Sequence, residues 1–236
     1  MEDNTNTNEL TDINDKDIEL NIDLNSLAYG NLTYNYLPYL EVKNHFSELI
    51  DSFLDFPYPQ IDESILEIEN LIESQKNAKQ SKNWEKQYNF NTNVDSNLEF
   101  VLEKFYLKNE LIFDKELLAN IRTDISALVL QLKVYYQRAR PFQVAFYSKQ
   151  NFVPFESNSA NTPSYPSGHA TQIYFIGLVE IFKNPQKEKE IKKFCNMVAK
   201  TREIMGVHFE SDTNFGKIIA TALSKHPKIK EIYFKK

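Results

Sequence analysis

Apolar side chains recur every three or four residues along most of this chain, the spacing that buries one stripe of an α-helix. The longest such run is DKELLANIRTDISALVLQLKVYYQRA, and it predicts a helix reaching Arg140, just before Pro141. Shorter runs predict helices over LEVKNHFSELIDSFLDF, DESILEIENLIESQ and SNLEFVLEKFYL, over 168–183, and over roughly 185–205 and 208–224. In the second of these, Ser64 and Glu67 form a candidate capping box. The polar stretch 78–93 reads as a loop apart from Trp84, and 141–166 reads as a long functional loop. The chain has only 5 glycines and no Asn-Gly or Asp-Gly pair, so hairpin signals are absent. These features predict an all-α fold of about seven or eight helices, and 236 residues suffice for one well-buried domain.

The net charge of −6 is unevenly placed. Residues 1–25 carry eight acidic side chains against Lys16 alone, which leaves the remainder nearly neutral. We therefore divide the chain into an acidic, flexible arm over 1–27 and a helical body over 28–236. An acidic chain of this kind is not expected to bind nucleic acid. Cys195 is the only cysteine, which rules out an internal disulfide and a cysteine-based zinc site. It falls at a helical core spacing and reads as a buried, inert thiol. The polar N-terminus has no basic start or apolar run, and no stretch approaches the ~18 apolar residues of a membrane span. The expectation is a soluble, intracellular protein rather than a periplasmic or secreted one.

Three segments carry residues suited to chemistry. In KVYYQRARP, Lys133 and Arg140 are seven apart, two turns of one helix, and are expected to project from the same face. In TPSYPSGHATQ a loop becomes a helix at Gly168 and His169, where unpaired N–H groups favour an anion. Ser167 adds a hydroxyl, Gly168 a close N–H, and His169 a proton near neutral pH. In TREIMGVHFESD, Gly206 can end one helix, so that the next begins near His208. His208 and Asp212 are then i, i+4 neighbours, and the carboxylate can accept the Nδ1–H and leave Nε2 free for a substrate. Taken singly, each has a bland reading: a solvated helix face, a helix cap beside a chance histidine, a surface His–Asp pair. Together, Lys133, Arg140 and Arg202 supply three positive charges, which suits the three non-bridging oxygens of a phosphoryl group. No carboxylate or His/Cys cluster suggests a metal.

Lys133-x6-Arg140-Pro141, Pro166-Ser167-Gly168-His169 and Thr201-Arg202-x5-His208-x3-Asp212 occur in this order. They resemble the three-part signature of the type 2 phosphatidic acid phosphatase superfamily, which includes class A non-specific acid phosphatases and vanadium-dependent haloperoxidases. Thr201 stands where the family has serine and keeps the hydroxyl. SYPSGH, YYQRARPF and NPQKEKEI are closest to the class A acid phosphatases, and the likeness spans about residues 133–224. The resemblance implies a single-domain helical bundle that hydrolyses phosphate monoesters without a metal, through a phosphohistidine. On it, His208 is the nucleophile, Asp212 orients it, and His169 is the general acid and base. Lys133, Arg140, Ser167, Gly168 and Arg202 hold the phosphate. No cofactor is expected. The alternatives are a lipid phosphate or diphosphate phosphatase and, below that, a vanadate-dependent haloperoxidase. Expected partners are a small phosphorylated substrate, with inorganic phosphate as product and inhibitor; a homo-oligomer is left open. Tyr165, Phe142 and Phe146 are candidates for the substrate mouth, with core packing an equal alternative for the two phenylalanines.

Overall fold

The computed structural model describes residues 23–30 and 37–235. The acidic arm expected over 1–27 therefore lies mostly outside the described residues. Its described end, Leu24–Ser26, forms one 3-10 turn, with the Asp23 side chain accepting the Asn25 N–H. Among the described residues there are helices and no strands; Ala28 and Arg138 form an isolated antiparallel bridge. In chain order the helices are α1 (Leu37–Leu40), α2 (Asp51–Leu54), α3 (Ile61–Gln80), α4 (Trp84–Ser96), α5 (Leu98–Lys108) and α6 (Lys115–Tyr136). They continue as α7 (Pro141–Tyr147), α8 (Gly168–Lys183), α9 (Glu188–Ile204), α10 (Glu210–Lys225) and α11 (Pro227–Tyr233). No helix of the described residues is long and apolar enough to cross a membrane.

Helix α8 is the central element. It packs against α10, α9 and α6, and the main core gathers Ile125 and Leu128 of α6, Ile173 and Phe175 of α8, Val198 of α9 and Ile219 of α10. A second, smaller core joins Ile68 and Leu71 of α3 to Ala139, Val144, Ala145 and Phe209. That second core buttresses the N-terminus of α10, which carries the site. Gly216 allows α10 to meet the start of α8. A Cβ there would lie 3.0 Å from the Ser167 carbonyl oxygen and 2.9 Å from Thr171 Oγ1.

Four sequence expectations change. The stretch 78–93 is not a loop: α3 continues to Gln80 and α4 starts at Trp84. Trp84, Tyr88, Asn91 and Asp95 recur at helical spacing, and the polar members hid the stripe. Trp84 and Tyr88 pack on Phe155 at 5.5 and 5.7 Å between ring centroids. The single helix expected over 40–56 is broken, because Asn44 Oδ1 accepts the N–H groups of Phe46 and Ser47 and closes a turn. Helix α6 ends at Tyr136 rather than at Arg140, and Gln137 takes the left-handed conformation with φ +50°. Pro141 then opens α7, within what read as a long loop, and Arg140 is the residue that caps it. Finally, Ser64 and Glu67 do not cap α3. Gln60 and Glu63 do, with the Gln60 N–H donating to Glu63 Oε2 at 2.7 Å.

Candidate active site

Lys133 and Arg140 reach the site from different directions, because the left-handed Gln137 separates the helices that carry them. Lys133 lies in the last turn of α6 and is 4% exposed. Its ammonium donates to the carbonyl oxygens of Pro163 and Ser164, which anchors the segment leading into Pro166-Ser167-Gly168-His169. Arg140 is 1% exposed. Its Nε donates to the Thr162 carbonyl at 2.8 Å and one amino group to the Val207 carbonyl at 2.5 Å. That same amino group lies 3.1 Å from His208 Nε2.

The third segment folds as its glycine predicts. Helix α9 stops at Ile204, Gly206 adopts φ +72°, and a Cβ there would collide with Phe152 at 2.4 Å. His208 precedes α10, and its Nδ1 lies 3.0 Å from Asp212 Oδ2. The same oxygen accepts the Phe209 N–H at 2.9 Å and the Ser164 hydroxyl. The other oxygen, Oδ1, takes Arg138 at 2.6 Å. Asp212 is fully buried; burial opposes its charge, but Arg138 and His208 outweigh that and hold its carboxyl far below the usual range.

Ser167 caps α8 with its side chain toward the Ala170 N–H, and its own N–H donates to the Asp212 carbonyl at 3.0 Å. Gly168 is therefore the first residue of α8, and the half-buried His169 follows in the same turn. The His169 ring faces the backbone of Val94 on α4. Arg202, in the last turn of α9, is 1% exposed and pairs with Asp95 Oδ1 at 2.5 Å. The eight expected site residues thus converge from α6, α7, α8, α9 and α10.

The cations of this cluster act on one another and on the two imidazoles. Burial, and then the Arg140 charge, depress the Lys133 ammonium well below its ordinary value; Arg202 adds to this. His208 is lowered well below its usual value by burial and Arg140, against the opposing pull of Asp212. His169 is lowered too, first by burial and then by Arg202. These surroundings disfavour the charged form of both imidazoles, and an entering anion opposes the electrostatic part of each shift. Among the described residues, no group of three or more His, Cys, Asp or Glu side chains could hold a metal ion.

Sequence reasoning missed two supports. Arg138 is 2% exposed and donates to Asp212 Oδ1, Ser211 Oγ, Ser64 Oγ and Glu67 Oε2 at 2.6 to 2.9 Å. Its guanidinium also lies over the Phe209 ring, 4.0 Å from the centroid. Glu67 in turn accepts the Ser211 N–H at 2.7 Å. Arg138 sits in the same RAR run as Arg140, but nothing in the run distinguishes their tasks. The second support is Asp95, on the helix that had read as a loop. Conversely, Tyr165 is no mouth residue: it stacks on Phe215 at 4.5 Å in the core. Phe146 is 75% exposed and so is not a core residue.

A buried imidazole held by a carboxylate and surrounded by cations is an arrangement able to stabilise a phosphoryl-type oxyanion. Residues 117–226, the segment that carries the site, match the model of the PAP2 superfamily. The non-specific acid phosphatase of Salmonella typhi is 30% identical over 88 residues, covering 37% of this chain and 34% of that protein. That of Providencia stuartii is 32% identical over 108 residues, covering 45% and 43%. The chain matches less than half the length of these curated relatives.

Proposed function

We propose that this protein hydrolyses small phosphate monoesters without a metal, through a phosphohistidine on His208. The observation that carries the reading is the buried pair of His208 Nδ1 and Asp212 Oδ2 at 3.0 Å, with Nε2 turned to the Arg140 guanidinium at 3.1 Å. A charged Asp212 favours the tautomer with its proton on Nδ1; the Nε2 lone pair then accepts from Arg140 and is turned to phosphorus when the substrate's oxygens take that guanidinium. The depressed basicity of His208 keeps that lone pair unprotonated.

In the first step Nε2 forms a bond to phosphorus as the ester P–O bond breaks. His169 donates its proton to the departing alcohol oxygen. Its half-buried position supports this role, since the leaving group must face the outside. Lys133, Arg140, Arg202, the Ser167 hydroxyl and the Gly168 N–H hold the non-bridging oxygens as charge shifts. Water then attacks phosphorus, gives its proton to His169, and the P–N bond breaks to release phosphate. His169 must be protonated in the first step, although burial and Arg202 disfavour its charged form. The dianionic substrate supplies the missing compensation by offsetting Arg202.

The test is direct. With p-nitrophenyl phosphate, His208→Ala abolishes turnover, and His169→Ala accumulates a phosphoenzyme, while wild-type activity persists in excess EDTA. Undiminished hydrolysis by His208→Ala removes the covalent route, and loss of wild-type activity in EDTA removes metal independence.

A further inference from the structure

Arg202 and Asp95 form a pair that the phosphate-binding role of Arg202 does not by itself require. Asp95 lies on α4, 107 positions from Arg202 in the chain, and both side chains are buried, at 5% and 1%. The carboxylate is fully engaged. Oδ1 takes Arg202 at 2.5 Å and the Ser157 and Ser159 hydroxyls at 2.6 Å each, and Oδ2 takes the Asn158 N–H at 3.0 Å. The other amino group of Arg202 donates to Ser159 Oγ at 2.9 Å and Ser157 Oγ at 3.4 Å. Both terminal amino groups are therefore tied to one clamp, built from α4 and the 157–159 segment. The Nε–H, by contrast, is buried and finds no hydrogen-bond partner among the described residues. A buried donor left unpaired is costly, and its position on a site cation marks it for an incoming oxygen.

We propose that Asp95 is the positioning residue of the leaving-group side: it fixes Arg202 so that Nε–H meets a phosphoryl oxygen, and it offsets the guanidinium charge at His169. This rests on the phosphatase reading above. Three charged groups face His169, namely Arg202 from α9, Asp95 from α4 and Arg122 from α6. Two are cationic, and Asp95 is the anion among them. Its own carboxyl, which burial alone would push up, is held at about 2 by Arg202 and the two serine hydroxyls, so it stays charged across the working range. Without that charge His169 would face two uncompensated cations and would surrender its proton at still lower pH.

The test compares Asp95→Asn and Asp95→Ser, either of which removes the charge and keeps a polar acceptor, with Ser157→Ala/Ser159→Ala, which keeps the charge. Thermal unfolding selects whichever Asp95 variant folds. The alkaline limb of kcat/KM for p-nitrophenyl phosphate moves about one pH unit lower in the Asp95 variant, with kcat/KM down about tenfold. It stays in place in the serine variant. Histidine proton NMR of the empty protein shows the same downward displacement for His169, a readout that holds even if the wild type turns over no phosphate ester. Absence of wild-type turnover thus overturns the phosphatase reading alone. A His169 titration and alkaline limb identical in the wild type and the Asp95 variant overturn the role of Asp95 and leave it a structural staple.

Discussion

The two histidines of this site are held in opposite ways. Around His208 every neighbour is tied to another: Asp212 binds His208, Ser164, Phe209 and Arg138, and Arg138 continues to Glu67 and Ser64 on α3. Around His169 the ring is half-buried, and the Arg202 Nε has no partner among the described residues. The first side is tied into one network, as a nucleophile aimed at one atom requires, although the Arg138 Nε is buried there without a partner among the described residues. The second keeps donors in reserve for groups that arrive with the substrate. The contrast is thus between a carboxylate network closed around His208 and a half-buried ring whose neighbouring cation keeps one donor unpaired.

Breaking the networked side should have the largest effects. Loss of the His208 imidazole removes the nucleophile, and kcat falls by about 10⁴-fold or more. Asp212→Asn leaves the shape but offers a donor where His208 needs an acceptor. Stopped-flow and steady-state assays should show kcat down about 10³- to 10⁴-fold with little change in KM. Arg138→Met touches no substrate in this scheme, yet it leaves Asp212 and Glu67 uncompensated. Denaturant unfolding should register about 3–5 kcal/mol of lost stability, and a neutral effect would mean that the network is not closed.

The open side answers to anions. Lys133, His169 and His208 are all depressed in the empty site, and a bound oxyanion raises each of them. Phosphate binding near neutral pH should therefore take up protons. Titration calorimetry in buffers of different ionisation enthalpy detects this as a buffer-dependent heat, and identical heats would refute it. The smallest effect concerns stability against pH. The Asp95 carboxyl, at about 2 when folded, lies below its unfolded value of 3.8. Its contribution is present above the unfolded value and is lost as pH falls toward 2. Wild-type unfolding free energy should drop between pH 4 and pH 2 more steeply than that of Asp95→Asn.

The contrast also explains what could be read from the chain. Lys133, Arg140, Ser167, Gly168, His169, Arg202, His208 and Asp212 were legible because each lies in a short motif of fixed spacing. The Gly206 break and the i, i+4 relation of His208 and Asp212 are local geometry, so the sequence was enough to place them. Lys133 and Arg140 both lie near His208, but not by the route their spacing suggested. Their seven-residue spacing reads as one helix face, whereas a left-handed Gln137 turns the chain between them.

By itself, then, the sequence determined the helical class, through apolar spacing and scarce glycine, and the short motifs whose residues meet within a turn or two. Only the tertiary structure decided which charges accompany them. Glu67 lies 71 positions from Arg138, and Asp95 lies 107 from Arg202. No local pattern encodes such pairs, because a buried ion's partner is chosen by the packing of helices rather than by the neighbouring chain. Ser64 and Glu67 show this best: their spacing mimics a helix cap, and folding spends them instead on a guanidinium that the next domain-scale contact brings to their face.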